Sequence, residues 1–352
     1  MLYVYATVRF FPHSIQHFII LFWIIQIIEV FLQDKIFVYY LLQIMKRIVV
    51  LFPYFGKLPP QYGAWRASAI DNADIDFMFF TDCDVEPAQN IIVHKMQFED
   101  FRQMCQKPFD FPIVLDRPYK ICDYRPAFAY ILADYIRGYD FWGWGDLDVV
   151  YGDIRHFITE DVLSNHKMIS GWGHFTLYHN DEDTNTYFMK EVDGYQSYKT
   201  AFTMSKTCFF DEYRHKGFGD KWRECRSQDC WLEWVFDDVY NPKQSYHFIS
   251  YNREWKQVLF EHIDNKLFMI KIEKGELKKM ESMYAHFQHR GFMKDKVKDY
   301  SHFIVTPNAI IDYPKHLINL RLRFLCRKRN MMTRFYQWRD YFIWRLHLTH
   351  NK

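Results

Sequence analysis

The chain has 352 residues, which is longer than one average domain but within the size of one large α/β unit. It is 49% hydrophobic and 25% charged, as in globular proteins, and its net charge of only +2 argues against a nucleic-acid partner bound by charge alone. Aromatic residues make up 20% of the chain. Such a content is typical of proteins that line a sugar or base pocket with rings, or it reflects compositional bias in the source genome.

Seven cysteines are scattered along the chain, with no Cys-x-x-Cys pair and no zinc-ligand spacing. An odd, scattered set favours reduced thiols over a disulfide framework. We therefore expect a cytoplasmic protein.

Residues 1–44 differ in composition from the rest of the chain. Their apolar segment, residues 18–32, contains Gln26 and Glu29 and is shorter than the roughly 20 residues that span a bilayer. Three interpretations remain open: a membrane-associated helix, a buried helix, or upstream sequence outside the natural protein. The third is favoured because Met45-Lys46-Arg47 resembles a natural start that leads directly into a strand.

Residues 45–310 are predicted to form one α/β domain. Apolar, β-rich runs predict strands, and 3.6-residue periodicity predicts helices. The predicted strands are residues 48–52, 76–81, 90–94, 168–178 with a glycine turn, 267–272 and 283–287. The predicted helices are residues 61–72, 98–106, 123–137 and 227–237, and residues 208–224 are predicted to be a mobile polar loop. This order indicates an open sheet flanked by helices, with ligands at the carboxyl ends of its strands.

Asp146 and Asp148 follow an aromatic and glycine run and precede a β-branched pair, so they lie where a buried strand reaches the surface. On extended backbone, residues i and i+2 share a face, so both carboxylates can point the same way. Two such oxygen ligands suit Mn²⁺ or Mg²⁺, which fill their other positions with water and substrate phosphates. The alternative is a solvated surface turn, but four large apolar rings beside the pair argue against an exposed loop.

Other side chains are candidates for the same site. His286 follows a short strand and is our candidate for a third metal ligand, although most of the 16 histidines must be structural. Lys120, Asp123 and Arg125 lie at a predicted helix start, where a cation can meet phosphate and Asp123 can accept a sugar hydroxyl. Asp123 can equally be an N-cap. If the reaction needs a carboxylate base, the candidates are Asp211, Glu212 and Asp229.

Five motifs in this order resemble a family of bacterial glycosyltransferase-like proteins, related to the metal-dependent GT-A glycosyltransferases of surface-polysaccharide synthesis. The motifs are Pro53-Tyr54-Phe55-Gly56, Phe79-Phe80-Thr81-Asp82, Tyr119-Lys120-Ile121-Cys122-Asp123-Tyr124-Arg125-Pro126, Trp144-Gly145-Asp146-Leu147-Asp148 and His286-Phe287-Gln288. The resemblance covers residues 46–292 and implies a GT-A-like fold, a UDP- or GDP-sugar donor and a glycan or lipid-linked glycan acceptor. It implies Asp146, Asp148 and His286 as metal ligands. It also implies that Pro53, Tyr54, Thr81 and Asp82 border the nucleoside, and that Lys120, Asp123 and Arg125 border the diphosphate and donor sugar.

Residues 311–352 form a second change in composition. Arginines and lysines alternate with leucines and aromatic residues, against the single acid Asp340 between residues 320 and 345. This pattern favours a helical extension that lies on an anionic membrane surface; the alternative is a helix packed on the domain with its arginines in water.

Taken together, the aspartate pair, the motif resemblance and the tail predict a metal-dependent hexosyltransferase at the inner membrane face. A nucleotidyl or phosphoryl transferase with the same carboxylates, or a non-catalytic nucleotide-sugar-binding protein, is the alternative.

Overall fold

The structure is a computed structural model, and the chain divides into two units, Met1–Lys46 and Arg47–Lys352. The residues that it describes are 45–213, 215–240, 248–250, 255–288, 294–307 and 309–314, with 320, 322, 324, 325, 338, 339 and 342 further on. The predictions for residues 1–44 lie outside the described residues, as do those for most of the tail. Within the described part, no helix is long and apolar enough to cross a membrane.

The second unit contains every element described below. Its strands are β1 (Ile48–Pro53), β2 (Ile75–Thr81), β3 (Ile91–Lys95), β4 (Phe141–Gly145), β5 (Val149–Tyr151), β6 (Met168–Trp172), β7 (Phe175–His179), β8 (Cys230–Trp231), β9 (Asp237–Tyr240), β10 (Phe248–Ser250), β11 (Trp255–Ile263), β12 (Lys266–Glu273), β13 (Glu276–Ser282), β14 (Tyr284–His286), β15 (Lys294–Asp295), β16 (His302–Thr306) and β17 (Ala309–Asp312). Its α-helices are α1 (Tyr62–Asp71), α2 (Phe98–Gln106), α3 (Phe128–Ile131), α4 (Ile154–Phe157), α5 (Glu160–Asn165), α6 (Glu182–Thr186), α7 (Tyr198–Thr203) and α8 (Phe218–Cys225), with 3₁₀ helices at Pro118–Ala127, Tyr187–Met189 and Ser227–Asp229.

The first sheet has the strand order β3-β2-β1-β4-β7-β6-β8. Strands β3, β2, β1 and β4 are parallel, whereas β7 is antiparallel to both β4 and β6. Strand β1 is buried on both faces: Val49 and Leu51 join one hydrophobic cluster, and Ile48, Val50 and Phe52 join another. This explains its continuous apolar sequence, because a strand covered on both faces does not alternate with polar residues.

Gly143 allows β4 to lie close to β7. A Cβ at Gly143 would lie 2.0 Å from the backbone oxygen of Thr176, so only glycine fits at this crossing. The neighbouring Trp142 and Trp144 are buried and pack on Tyr178, which anchors the end of β4. The aromatic and glycine run before the two aspartates is therefore buried strand rather than exposed loop.

The second sheet has the strand path β15-β17-β16-β11-β10-β9-β14-β5, with β12 paired to β11 and β13. Strand β4 ends in the first sheet at Gly145, and β5 begins in the second sheet at Val149. The segment 146–148 is thus the connection between the two sheets. Since β14 pairs with β5 and places His286 opposite Val149, a residue distant in sequence is brought beside this connection.

The structure confirms the predicted α/β class at this level: open mixed sheets with helices. The first three strands and helices α1 and α2 lie within one or two residues of their predicted bounds. Strand β17 runs two residues past the predicted domain boundary at 310, and Leu322 of the tail packs against Leu259 and Ile304 of the second sheet.

Three local predictions were wrong. The predicted helix at residues 227–237 is a 3₁₀ turn followed by β8 and the start of β9, because Trp231 pairs with Ile169 at the sheet edge. The predicted loop at residues 208–224 contains most of α8, whose Phe218 and Trp222 are buried. The predicted helix at 123–137 is a 3₁₀ segment and the single α-turn α3. In each case tertiary packing outweighs local propensity.

Candidate functional site

Asp146, Asp148 and His286 converge at the connection between the sheets. One ligand atom from each lies within 4.8 Å of the others. His286 Nε2 is 3.5 Å from Asp148 Oδ1 and 4.0 Å from Asp146 Oδ2. Backbone hydrogen bonds fix both aspartates, because Asp146 N–H donates to the His174 carbonyl and Phe287 N–H donates to the Asp148 carbonyl.

A third carboxylate orients His286. Its Nδ1 lies 3.0 Å from Asp238 Oδ1, which also accepts a hydrogen bond from Gln288 Nε2. Strands β9 and β14 pair in parallel with His286 opposite Asp238, so the contact follows from sheet register. Because Nδ1 faces Asp238, Nε2 faces the aspartate pair. A carboxylate that holds the far nitrogen of a histidine is the usual support for a metal-binding imidazole.

The charge around His286 favours a cation. Burial lowers the pKa of His286, but Asp148 and Asp238 more than offset it and raise that pKa to about 10. Two carboxylates and one imidazole are a donor set that suits Mn²⁺ and related divalent ions. The residues present therefore fit the metal site that the sequence predicts.

Arg125 holds Asp146 of the aspartate pair in place. Its guanidinium forms an ion pair with Asp146 Oδ1, donates to Asp211 Oδ2 at 2.9 Å and donates to the Gly173 carbonyl at 2.8 Å. Asp211 is buried, and burial raises its pKa to about 7 although the Arg125 charge acts in the opposite direction. Arg125 thus holds Asp146 through Oδ1, whereas His286 lies nearer Oδ2.

The site opens into a cleft of about 1090 Å³, which is ample for a nucleotide-sized ligand. Pro53 and Tyr54 line it from the end of β1, and Arg125, both aspartates and His286 line its floor. Of the predicted base candidates only Glu212 lines it, with its side chain 43% exposed. Burial raises the Glu212 pKa, partly offset by the Arg125 charge.

Six predicted site residues do not line the cleft, and three of them are Thr81, Asp82 and Asp229. Thr81 is buried, and its hydroxyl accepts a hydrogen bond from Cys83 N–H. Asp82 accepts a hydrogen bond from Gly56 N–H and so supports the loop that follows β1. Asp229 forms an ion pair with Arg226 at 2.9 Å.

Lys120 and Asp123 form an ion pair in the protein interior, and neither side chain is exposed. The ammonium donates to Asp123 at 2.6 Å and to the carbonyls of Ala201 and Lys206. The carboxylate accepts from the N–H groups of Cys208 and Phe210 at 2.9 Å each. This pair holds the segment before Asp211 in place and does not face the cleft.

Sequence reasoning missed His174 and Asp238. Asp238 directly follows the wrongly predicted helix, and only strand pairing places it beside His286. His174 stacks on His286 with ring centroids 4.3 Å apart. Burial and the charge of His286 lower its pKa well below 6.5, so it packs as a neutral ring. The Gly-Trp-Gly-His sequence at residues 171–174 was the available signal, since it is a tight turn between two buried strands.

Fold and site together define an α/β protein with a candidate divalent-cation centre at the junction of two mixed sheets. The chain belongs to a family of unknown function (DUF6625), whose sequence profile matches residues 50–314. No curated protein matches the chain, and no solved structure matches it. The matched region contains both aspartates, Arg125, Asp238 and His286.

Asp123→Ala tests whether the buried pair is structural. Removal of the carboxylate leaves the Lys120 charge buried and two backbone N–H groups without their acceptor, so we expect the variant to lose about 3–5 kcal/mol of unfolding free energy. Urea unfolding followed by tryptophan fluorescence measures the loss. The matched control is Asp134→Ala, which removes an exposed ion pair with Arg137 and leaves the midpoint unchanged. A variant as stable as wild type that binds nucleotide sugar poorly would instead support the ligand role that the family resemblance implies.

Proposed function

We propose that the protein is a metal-dependent glycosyltransferase that moves a hexose from a nucleotide-sugar donor to a glycan acceptor. The observation that carries the proposal is the convergence of Asp146, Asp148 and His286 on the floor of one large cleft. The resemblance of the sequence motifs to GT-A glycosyltransferases agrees with it.

Sheet topology supports the position of the nucleotide. From β1 the chain passes to β2 and β3 on one side and returns to β4 on the other, so strand order reverses between β1 and β4. In open α/β sheets this reversal leaves a crevice at the carboxyl ends, where nucleotides commonly bind. Pro53 ends β1 and Tyr54 follows it, and Asp146 follows β4.

The residues on the floor suit the departure of a diphosphate. When bound by Asp146, Asp148 and His286, a divalent cation supplies positive charge for the diphosphate leaving group. Asp238 keeps His286 Nε2 facing the pair, and Arg125 keeps Asp146 in place. The guanidinium is already engaged by two carboxylates, so we assign Arg125 a positioning role rather than direct phosphate binding.

Glu212 is the best candidate for a general base. Asp211 is engaged by Arg125 and does not line the cleft, and Asp229 is engaged by Arg226. In an inverting transfer, Glu212 takes the acceptor hydroxyl proton while the acceptor oxygen bonds to the sugar anomeric carbon. The bond from that carbon to the diphosphate breaks, and its electron pair leaves with the diphosphate.

Asp146→Ala and Asp148→Ala test the metal site. Each removes a carboxylate ligand, so we expect each variant to lose Mn²⁺ binding in calorimetric titration. We also expect each to lose Mn²⁺-dependent release of hexose from a panel of UDP- and GDP-sugars, with the thermal transition shifted by only a few degrees. Removal of metal from the wild type with EDTA should give the same loss.

The control is Asp84→Ala, which removes an exposed carboxylate that does not line the cleft. Unchanged turnover in either test variant contradicts the proposal. Turnover of nucleoside triphosphates in place of nucleotide sugars would favour a nucleotidyl or phosphoryl transferase. Tight UDP or GDP binding with no sugar released would favour a non-catalytic binding protein.

Glu212→Gln tests the base. Because the amide cannot accept the proton, we expect transfer to a saccharide acceptor to fall by about 10²–10⁴-fold while Mn²⁺ and UDP affinity stay unchanged. Glu233→Gln, an exposed change outside the cleft, serves as the control. Full transfer activity in Glu212→Gln would instead indicate that the departing phosphate takes the proton, as in a retaining enzyme.

We also propose that the protein works in the cytoplasm at the inner membrane face. The six cysteines in the described region form no disulfide, which supports a reducing compartment. In the tail, Leu320, Phe324, Trp338 and Phe342 are 68%, 60%, 63% and 45% exposed. They form two pairs four residues apart, the spacing that places side chains on one helix face, in a segment rich in arginine.

Trp338→Asp/Phe342→Asp tests membrane contact. Loss of two apolar rings and gain of two negative charges should reduce binding to phosphatidylglycerol vesicles at least about tenfold in a sedimentation assay. Met280→Asp, a comparably exposed change on β13, should bind like wild type. Equal binding by the double variant and the wild type would show that the tail is not the membrane contact.

A further inference from the structure

One wall of the cleft carries aromatic rings that the proposed chemistry does not use. We name Trp172, Tyr213 and Trp234 the aromatic shelf. Trp172 ends β6, Tyr213 precedes α8, and Trp234 lies between β8 and β9, and all three line the cleft. Three separate segments therefore supply one apolar wall.

The shelf is held rigidly. The Trp172 ring centroid lies 4.7 Å from those of both Trp234 and Tyr213, each in an edge-on arrangement. The Arg223 guanidinium lies 4.4 Å from the Trp172 ring centre and 4.7 Å from that of Tyr213, and it donates to the Gly171 carbonyl. Rings fixed in this way present a preformed surface, so the protein loses little conformational freedom when a ligand binds there.

The shelf is continuous with the metal centre. Trp172 lies parallel to His174 at a centroid distance of 6.3 Å, and His174 stacks on His286 at 4.3 Å. Phe236 lies beneath, stacked against Trp234 at 5.7 Å. A ligand on the shelf is thus close to the candidate metal centre.

Trp234 is 47% exposed, although most large apolar side chains in the described region are buried. Among the exposed large hydrophobic residues there, only Tyr119 and Trp234 line the cleft. An exposed indole in a concave, partly polar site suits a ligand with an apolar face and polar edges. The Glu212 carboxylate and the His215 imidazole, 43% and 45% exposed, also line the cleft and can bond hydroxyl groups at such edges.

Strand order separates the shelf from the nucleotide half of the cleft. Strand β4, which leads to Asp146, has β1 on one side and β7, β6 and β8 on the other. Tyr54 follows β1, whereas Trp172 and Trp234 come from β6 and from the connection after β8. The aspartate pair therefore lies between the crevice that suits a nucleotide and the shelf.

We propose that the aromatic shelf binds a pyranose ring of the acceptor glycan, with the C–H face of the sugar on Trp234 and its hydroxyl groups towards Glu212 and His215. This assignment rests on the proposed glycosyltransferase function and names the acceptor as a saccharide. A sugar on the shelf would also lie close to Glu212, which is next to Tyr213 in sequence, so this carboxylate can reach the acceptor hydroxyl.

Saturation-transfer NMR on the full chain tests the assignment. The probes are methyl pyranosides of glucose, galactose and mannose, maltotriose and cellotriose, with UDP plus Mn²⁺ measured in parallel. We expect wild type to bind at least one saccharide, and Trp234→Ala to weaken that binding about tenfold because the stacking surface is lost. Trp234→Phe should restore part of it, and UDP affinity should not change in either variant.

Met204→Ala is the matched control, since Met204 is 43% exposed and lies outside the cleft; it should bind saccharides like wild type. No saccharide binding by wild type overturns the assignment, and so does a Trp234→Ala variant that loses UDP affinity, which would make the shelf a nucleobase site. Because the saccharide measurement needs no metal and no turnover, a failure of the shelf is distinguishable from a failure of the metal centre.

Discussion

The pairing of β14 with β5 is the constraint on which the candidate site depends. It holds His286 opposite Val149, one residue after Asp148, and the parallel pairing of β14 with β9 places Asp238 behind the same histidine. A shift of one residue in either register would place His286 on the other face of the sheet. The geometry of the centre is therefore a property of the second sheet, although both aspartates follow a strand of the first.

The centre concentrates charge that folding alone does not favour. Asp146, Asp148 and Asp238 surround one imidazole, and Arg125 joins the buried Asp211 to this group. Groups of this kind are costly to desolvate and are retained where a cation or a reaction requires them. The buried pair of Lys120 and Asp123 differs, because its partners are all internal and its effect is to fix the segment that carries Asp211 and Glu212.

The cleft has two halves of different character. The parallel half, from β3 to β4, provides a crevice at a reversal of strand order, and the mixed half, from β7 to β8, provides an aromatic wall. This division suits the proposed transfer between two unlike substrates, with the candidate metal centre between them. Nucleotide binding and saccharide binding can therefore be measured separately, one for each half of the cleft.

Strands β1, β2 and β3, helices α1 and α2, and the side-by-side placement of Asp146 and Asp148 could be predicted from the sequence. Continuous apolar runs, helical periodicity and i, i+2 spacing are local patterns. His286 was proposed from its neighbours in sequence, and the structure brings it to that pair. The sequence could not show that Asp238 orients His286, that Lys120 and Asp123 face inward, or that Trp172, Tyr213 and Trp234 share one wall. These features follow from strand register and side-chain burial, which depend on partners far away in the chain. Local propensity at residues 227–237 accordingly predicted a helix where sheet pairing forms strands.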